Sequence, residues 1–467
     1  MNNNKIIKKI LFVFVSVVVL SSCEKYLDEK PIDTVPEVNV FESMVGLQNA
    51  IIGAYAGVSP AVEEEIYQTA LVTDEAMMPT ENNTGRGVIV YRWQYDAGTG
   101  AEASVSFRDF YFALNRVNKI LDNIDGVPVT DAAEEITKKQ IQGEALALRA
   151  YCHFELLKSF SIGFNSSDIG VTYMSTSAVG TPSRNTVGEV FTKAKADLAA
   201  ALPLLPASFT QNTRFTRNAV IALQTNIALY EKDWDAAINF SSQIISAVPL
   251  ATQAQFQSIW KDQSNAEVIW KFKRNVGEAR IGDTYFDRTQ NKIIYAPSKE
   301  LRDSYDPIAD VRFGAYVLDL GGGRFTLNKY RGGDPANLNL ADIKVFRTGE
   351  IYLIRAEAYA EKNNLTAGSA DLNTLRRARI TGYVDEVFAT KDALINAIML
   401  ERFKELAFEK SRYFDLKRKS QNVTRIPEDA INALGAVTLD PSKREYLMPI
   451  PLAEINANNN MQQNTGY

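Results

Sequence analysis

The strongest constraint on this chain is a helical repeat of its apolar residues, recurring in pairs of segments joined by tight polar turns. Ala219, Ala222, Leu223, Asn226, Ile227 and Tyr230 fall at i, i+3, i+4, i+7, i+8 and i+11, which is one face of a helix. Glu231-Lys232-Asp233 then turns the chain into Trp234, Ala237, Ile238, Ser241 and Ile245 with the same period. Ile351, Ile354, Ala358 and Tyr359 repeat the pattern, passing through Lys362-Asn363-Asn364 to Leu372 and Leu375. Small residues such as Ala222 and Ala237 let paired helices approach closely, as stacked helical repeats require.

The same period predicts helices over 41–57, ending at Gly57, and over 104–124, 131–160, 186–202 and 389–410. Apolar residues of the 131–160 segment occupy more than one face, so that helix is expected between neighbours. The fold class is therefore mostly α: tetratricopeptide-like helix pairs forming a superhelical scaffold. From about 250 to 348 the period fails, and Gly277, Gly282, Gly314, Gly321, Gly322, Gly323, Gly332 and Gly333 punctuate the stretch. A loop-rich, partly β excursion of that length is expected to carry a ligand site.

The first residues read as an address. Lys5, Lys8 and Lys9 precede an apolar run ending at Leu20, shorter than the roughly 20 residues a membrane-spanning helix needs. Leu20-Ser21-Ser22-Cys23 resembles the bacterial lipobox, in which a thiol after two small residues takes a diacylglycerol. Acyl chains on Cys23 would anchor the chain at roughly 0.8 kcal/mol per buried methylene. The segments expected are a signal peptide (1–22), a lipidated tether (23–40), an N-terminal helical region (41–250), the excursion (251–348) and a C-terminal helical region (349–467), in one intertwined globular unit. The formal charge of -5, without a basic run beyond the N-terminus, argues against a nucleic-acid partner.

Several stretches together resemble the SusD/RagB family of nutrient-binding outer-membrane lipoproteins. Cys23 to Pro31 is similar to its lipidated leader and Phe41 to Gly57 to its first helix. Arg116 to Leu121 and Gly143 to Phe160 resemble its second and third helices. Glu401 to Glu409 and Arg412 to Arg418 resemble its most specific motif, with Phe403 where a second arginine is usual. Leu447 to Pro451 and Gln463 to Tyr467 resemble its terminal signature, with Thr465 in place of proline. The resemblance implies a surface lipoprotein of a Gram-negative, Bacteroidetes-like outer membrane. It implies capture of a glycan and delivery to a SusC-like TonB-dependent transporter, with membrane contact through lipid alone; RagB-like capture of peptides is the alternative. It implies neither an enzyme nor a cofactor.

Sugar recognition needs flat apolar faces beside groups that hydrogen-bond hydroxyls. Two places supply both: the 82–96 loop, with Asn82, Asn83, Arg86, Trp93 and Tyr95, and the 280–331 stretch, with Tyr285, Phe286, Tyr295, Tyr330 and Arg331. If Trp93 is a surface ring, Trp93→Ala should leave the melting temperature nearly unchanged. Trp234, Trp260 and Trp270 sit in periodic or apolar contexts and read as structural. His153, the chain's single histidine, and Cys152 read as packed helix residues, and no metal site is expected. Glu401 and Glu405 lie one turn apart but are flanked by Arg402 and Lys404, so an ion network is expected there rather than acid–base chemistry.

Overall fold

A serine starts the first helix: Ser43 Oγ accepts from the Gly46 amide at 3.2 Å and caps α1 (Met44–Val72). The helix does not stop at Gly57, as the sequence suggested, but continues through Pro60. Pro60 and Ala56 both face solvent, so the carbonyl that proline leaves without a helical donor can be hydrated. The structure, a computed structural model, describes residues 40–82, 84–98 and 101–467. The expected signal peptide, Cys23 and Asn83 lie outside them.

The other helices fall close to where the period placed them. They are α2 (Val105–Asn123), α3 (Ala132–Phe160), α4 (Val187–Leu204), α5 (Arg217–Glu231), α6 (Trp234–Ala247), α7 (Thr348–Glu361), α8 (Leu365–Arg377) and α9 (Lys391–Glu405); α10 (Ser411–Arg418) and shorter helices such as Gln253–Trp260 are ones the period did not mark. Each of α1 to α8 packs on the next, so the pairs α1/α2, α3/α4, α5/α6 and α7/α8 form one continuous stack, with α9 against α7 and α8. The α5/α6 and α7/α8 turns are built alike. Lys232 (φ 59°) and Asn363 (φ 58°) are both left-handed. The Asp233 amide then reaches Ala228 O (2.9 Å) as the Asn364 amide reaches Tyr359 O (2.8 Å).

The C-terminal half of α3 is buried all round, from Gly143 to Phe160 save Leu146 and Arg149. His153 is fixed in it: Nδ1 lies 2.8 Å from Arg149 O, and Nε2 accepts from the Met174 amide at 2.9 Å. Burial pushes its pKa down to about 3, so it stays neutral and structural.

The excursion is tied at its ends. Strand β1 (Val268–Phe272) pairs antiparallel with β2 (Ile343–Arg347), which leads straight into α7. Gly321-Gly322-Gly323, all at positive φ, form the bend of a small hairpin between Val317–Asp319 and Phe325–Leu327. The 389–410 helix of the sequence reading is α9 plus a turn leading to α10.

The fold's charged centre lies where these parts meet. Glu401 accepts from Arg312 (2.5 Å) and Arg376 (2.7 Å), and Glu405 from Arg347 and Arg379 (3.0 Å each) and Arg312 (3.2 Å). Glu409 accepts from Arg347 (2.6 Å) and Lys329 (2.5 Å). Glu267 joins Arg347 and Arg379 at 2.6 and 2.8 Å. Arg312, Arg347, Arg379, Glu267 and Glu405 are sealed from solvent. Burial raises the Glu405 pKa, but three guanidinium groups outweigh it and hold the carboxyl well below the usual range.

Removing one member of such a cluster strands the others. Glu405→Ala is expected to cost about 3–5 kcal/mol in urea unfolding. Because the folded pKa of Glu405 is depressed, its stabilisation is complete above the unfolded carboxylate value of about 4.3 and fades as pH falls below it. Stability should therefore drop steeply below about pH 4, and Glu405→Gln should flatten that slope. An unchanged slope would show that the carboxylate is not held as described.

Candidate functional site

The α1–α2 connection and the excursion, two separate stretches in the sequence, fold into one body. Ala76–Met77 pairs antiparallel with Ala296–Pro297, Ser298 N donates to Glu75 O at 2.8 Å, and Arg324 grips Glu81 at 2.8 Å. Tyr295 Oη donates to Arg86 O at 2.9 Å.

This docking corrects much of the predicted site. Tyr95, Tyr285, Phe286, Tyr295 and Tyr330 are each no more than 4% exposed, so none offers a ring face to a ligand. Tyr67 stands edge-on to Tyr285 (6.2 Å) and Tyr295 (6.0 Å), Tyr285 lies parallel to Tyr330 (6.2 Å), and Phe408 closes on Tyr285 at 5.3 Å. Tyr330 Oη donates to Phe408 O at 2.8 Å, and the Tyr95 hydroxyl to Glu445 O. Rings from both stretches interleave because each covers the apolar surface of the other, which favours edge and offset contacts in a core.

Trp93 is half-buried and left-handed at φ 53°. Its Nε1 donates to Val72 O at 3.0 Å, and the Arg425 guanidinium covers the ring at 4.5 Å. Arg425 itself donates to Leu71 O (2.7 Å), Thr73 O (3.1 Å) and Tyr91 O (2.7 Å), capping the end of α1. Trp93 thus belongs to the clamp on α1, and its substitution will not leave stability untouched.

Of the other nominated residues, Asn82 is half-buried, its Oδ1 accepting from the Thr84 amide at 3.1 Å. Arg86, 48% exposed in its side chain, lies 4.7 Å over the Tyr67 ring and 3.6 Å from Glu64. Arg331 lies 4.9 Å over Phe286, half-buried, and burial lowers its pKa from the usual arginine value. These two cations form the polar skin of the aromatic core.

Beside that skin opens a polar cleft of about 780 Å³, whose walls include Asn212, Lys271, Lys273, Arg274, Asn275 and Asn337. Its size is that of small-ligand sites, roughly 300–1,000 Å³. Glu63 of α1 links the cleft to the loop: Arg274 pairs with it at 2.5 Å. Burial raises the Glu63 pKa while Arg274 and Arg86 pull it down. Lys271 is held by Asp342 at 2.6 Å. The amides and cations offer donors and acceptors for hydroxyls, but no flat ring. Sequence reasoning missed this cleft; the one signal was Glu63, an acid in a largely apolar stretch of α1, which pairs with the cleft's Arg274.

Glu401 and Glu405, the nearest thing to a catalytic carboxylate pair, are enclosed by arginines and meet no cleft solvent. Among the described residues no three His, Cys, Asp or Glu side chains are arranged to hold a metal ion, and no helix is long and apolar enough to cross a membrane.

A four-pair helical stack carrying a loop-built polar cleft is the architecture of a binding scaffold. Residues 323–467 match the family model described as SusD family, and residues 25–229 the one described as starch-binding associating with outer membrane. The chain belongs to the SusD/RagB family. A SusD-like protein of Formosa agariphila is 23% identical, with 94% of each chain covered. The starch-binding protein SusD of Bacteroides thetaiotaomicron is 36% identical over 129 residues, covering 27% of this chain and 22% of that one. The fold matches a SusD superfamily protein of Bacteroides thetaiotaomicron with a TM-score of 0.79 at 20% identity, covering 90% of this chain and 99% of that one. A putative sugar-binding protein of Bacteroides vulgatus gives 0.77 at 23%, covering 91% and 99%.

Tyr285→Ala is expected to cost about 3–5 kcal/mol in urea unfolding, as loss of a core ring does, and Trp93→Ala about 1–3 kcal/mol through its lost hydrogen bond and packing. A Tyr285→Ala protein as stable as the parent would put that ring back among the ligand contacts.

Proposed function

We propose that this chain is a cell-surface, nutrient-binding lipoprotein that captures a glycan and delivers it to a SusC-like TonB-dependent transporter. In this reading residues 1–22 are the signal peptide, Cys23 carries the lipid, and 23–40 tether a body made of the 41–250 and 349–467 helical regions around the 251–348 excursion. The polar cleft carries the reading. It is concave, rich in amides and cations such as Asn212, Lys271, Lys273, Arg274, Asn275 and Asn337, with Lys271 and Arg274 fixed by Asp342 and Glu63, the preorganised hydrogen-bonding surface that sugar hydroxyls require. The names of the relatives, starch-binding and sugar-binding among them, support the same ligand class. Asn82, Arg86, Trp93 and Arg331 lie outside the cleft's lining and, like Tyr95, Tyr285, Phe286, Tyr295 and Tyr330, act by fixing the loops.

The test uses the full-length protein, extracted in a non-glycosidic detergent, in affinity electrophoresis through gels containing starch, xylan, laminarin or pectin, with casein peptides as competitor. Retardation by at least one polysaccharide, without release of reducing ends, is expected. Lys273→Ala should weaken that binding about tenfold, the worth of a charged hydrogen bond, with Tm kept because Lys273 lines the cleft as an exposed side chain. Binding displaced by peptides but by no polysaccharide would replace the glycan with a peptide ligand. Cys23→Ser should move the protein from the membrane to the soluble fraction; retention would refute the lipid anchor.

A further inference from the structure

A second cleft, of about 620 Å³, opens at the α5/α6 turn. Its wall is built from the loop after α3 (Phe164, Asn165, Asp168), the turn itself (Tyr230, Lys232, Trp234) and the end of α10 with Lys419. We propose that this cleft is a separate carbohydrate site, taking a short oligosaccharide with its rings against Phe164 and Trp234. The proposal rests on the reading of the chain as a glycan-binding protein, but uses none of the residues of the polar cleft.

Three observations carry it. First, the cleft has what the polar cleft lacks. Phe164 and Trp234 are large rings left half-exposed on one concave wall, with Tyr230 edge-on to Phe164 at 5.0 Å. Apolar ring faces beside hydrogen-bonding groups are what a sugar's C–H surface and hydroxyls need together.

Second, the wall is held rigid by bonds that leave ligand-facing groups over. Lys417 Nζ donates to Lys158 O and Ser161 O at 2.8 Å each, 5.3 Å above the Phe164 ring. Lys419 is taken by Glu357 (2.8 Å) and Glu361 (3.1 Å). Tyr446 Oη donates to Gln421 O at 2.6 Å. Asp168 Oδ2 accepts from the Asn165 amide at 2.8 Å, which leaves its other oxygen for a hydroxyl. Lys232 and Asn165 are exposed at the cleft.

Third, the chain contains its own control. The α7/α8 turn has the same left-handed residue and the same closing hydrogen bond, but places Asn363, Asn364 and Leu365 where the α5/α6 turn has Lys232, Asp233 and Trp234. The turn itself therefore asks for neither a tryptophan nor a lysine. Asparagine suits the left-handed position better than lysine does. The pair that departs from this turn chemistry is the pair that lines a cleft; Trp234 and Leu365 each rest partly buried on an apolar cluster, but only Trp234 also borders this concavity.

The experiment is isothermal titration of the full-length protein with maltotriose, xylotriose, laminaritriose and trigalacturonic acid. Two sites per chain are expected for at least one of them. Trp234→Ala should abolish one site and leave the other, and Lys273→Ala should weaken the other alone. Lys232→Gly, which keeps the fold because φ 59° suits glycine, should weaken the Trp234-dependent site about fivefold. It decides the matter if Trp234→Ala proves unstable. A single site unaffected by both Trp234→Ala and Lys232→Gly would overturn the second cleft and leave glycan capture standing. No binding of any polysaccharide or trisaccharide would overturn both.

Discussion

The row of carboxylates at Glu401, Glu405 and Glu409 is the interaction on which the remaining structure depends. Its partners come from far apart: Arg312 and Lys329 from inside the excursion, Arg347 from the strand that closes it, Arg376 and Arg379 from the end of α8 and beyond. A buried ion cluster is weak evidence of net stability, since desolvation takes back most of the Coulomb gain. Its value lies in geometry. Every arginine must meet its carboxylate or stay buried and unpaired, so alternative placements of the excursion carry a severe cost. A long irregular segment thereby acquires one position on a helical stack.

That constraint explains what the SusD/RagB motif at 401–418 does. Arg402 holds Asp415 at 2.7 Å, Arg412 holds Asp74 at 2.5 Å, Lys410 bridges Glu65 and Glu155, and Arg418 binds Glu357. The first bond ties α9 to α10, and the others tie the end of the chain to α1, the residues just after it, α3 and α7. Phe403, standing where the family usually has arginine, is buried under the Arg412 guanidinium at 4.6 Å, so the departure keeps a packed contact. The residues that identify the family are thus the ones that build the body.

The helices were legible because their information is local. Period and capping residues such as Asp131, Thr186 and Asn364 lie within a few positions of the element they specify. The early stop at Gly57 failed for a local reason too: a glycine packed under Arg116 of α2 and a proline on the solvent face break the sequence pattern without breaking the helix. The loop aromatics were misread for another reason. A tyrosine in a glycine-rich loop has the same sequence signature whether it faces a sugar or another loop, and only the pairing of Ala76–Met77 with Ala296–Pro297 decides. That pairing spans more than two hundred residues and leaves no periodic trace. Trp234 was placed correctly on α6 by its helical spacing and packs against the main core, but spacing says nothing about the loop after α3 that borders a cleft beside it.

The two clefts follow from one property of a stacked-helix scaffold. Helix pairs bury their long faces against each other and leave their turns at the rim, so concavities form where a turn meets a segment from elsewhere in the chain. At the α5/α6 turn that segment is the loop after α3, fixed by Arg184 from the far side through Gly170 O and Phe160 O, each at 2.7 Å. At the polar cleft it is the excursion, fixed by the carboxylate row. One concavity received rings and the other amides and cations, because the first is bordered by helix ends packed on the main core and the second by a sheet edge and its charged strands. A polymer presenting both apolar sugar faces and clustered hydroxyls would find the two surfaces complementary, so the rigidity of the stack between them, rather than either cleft alone, would set which chain lengths can engage both.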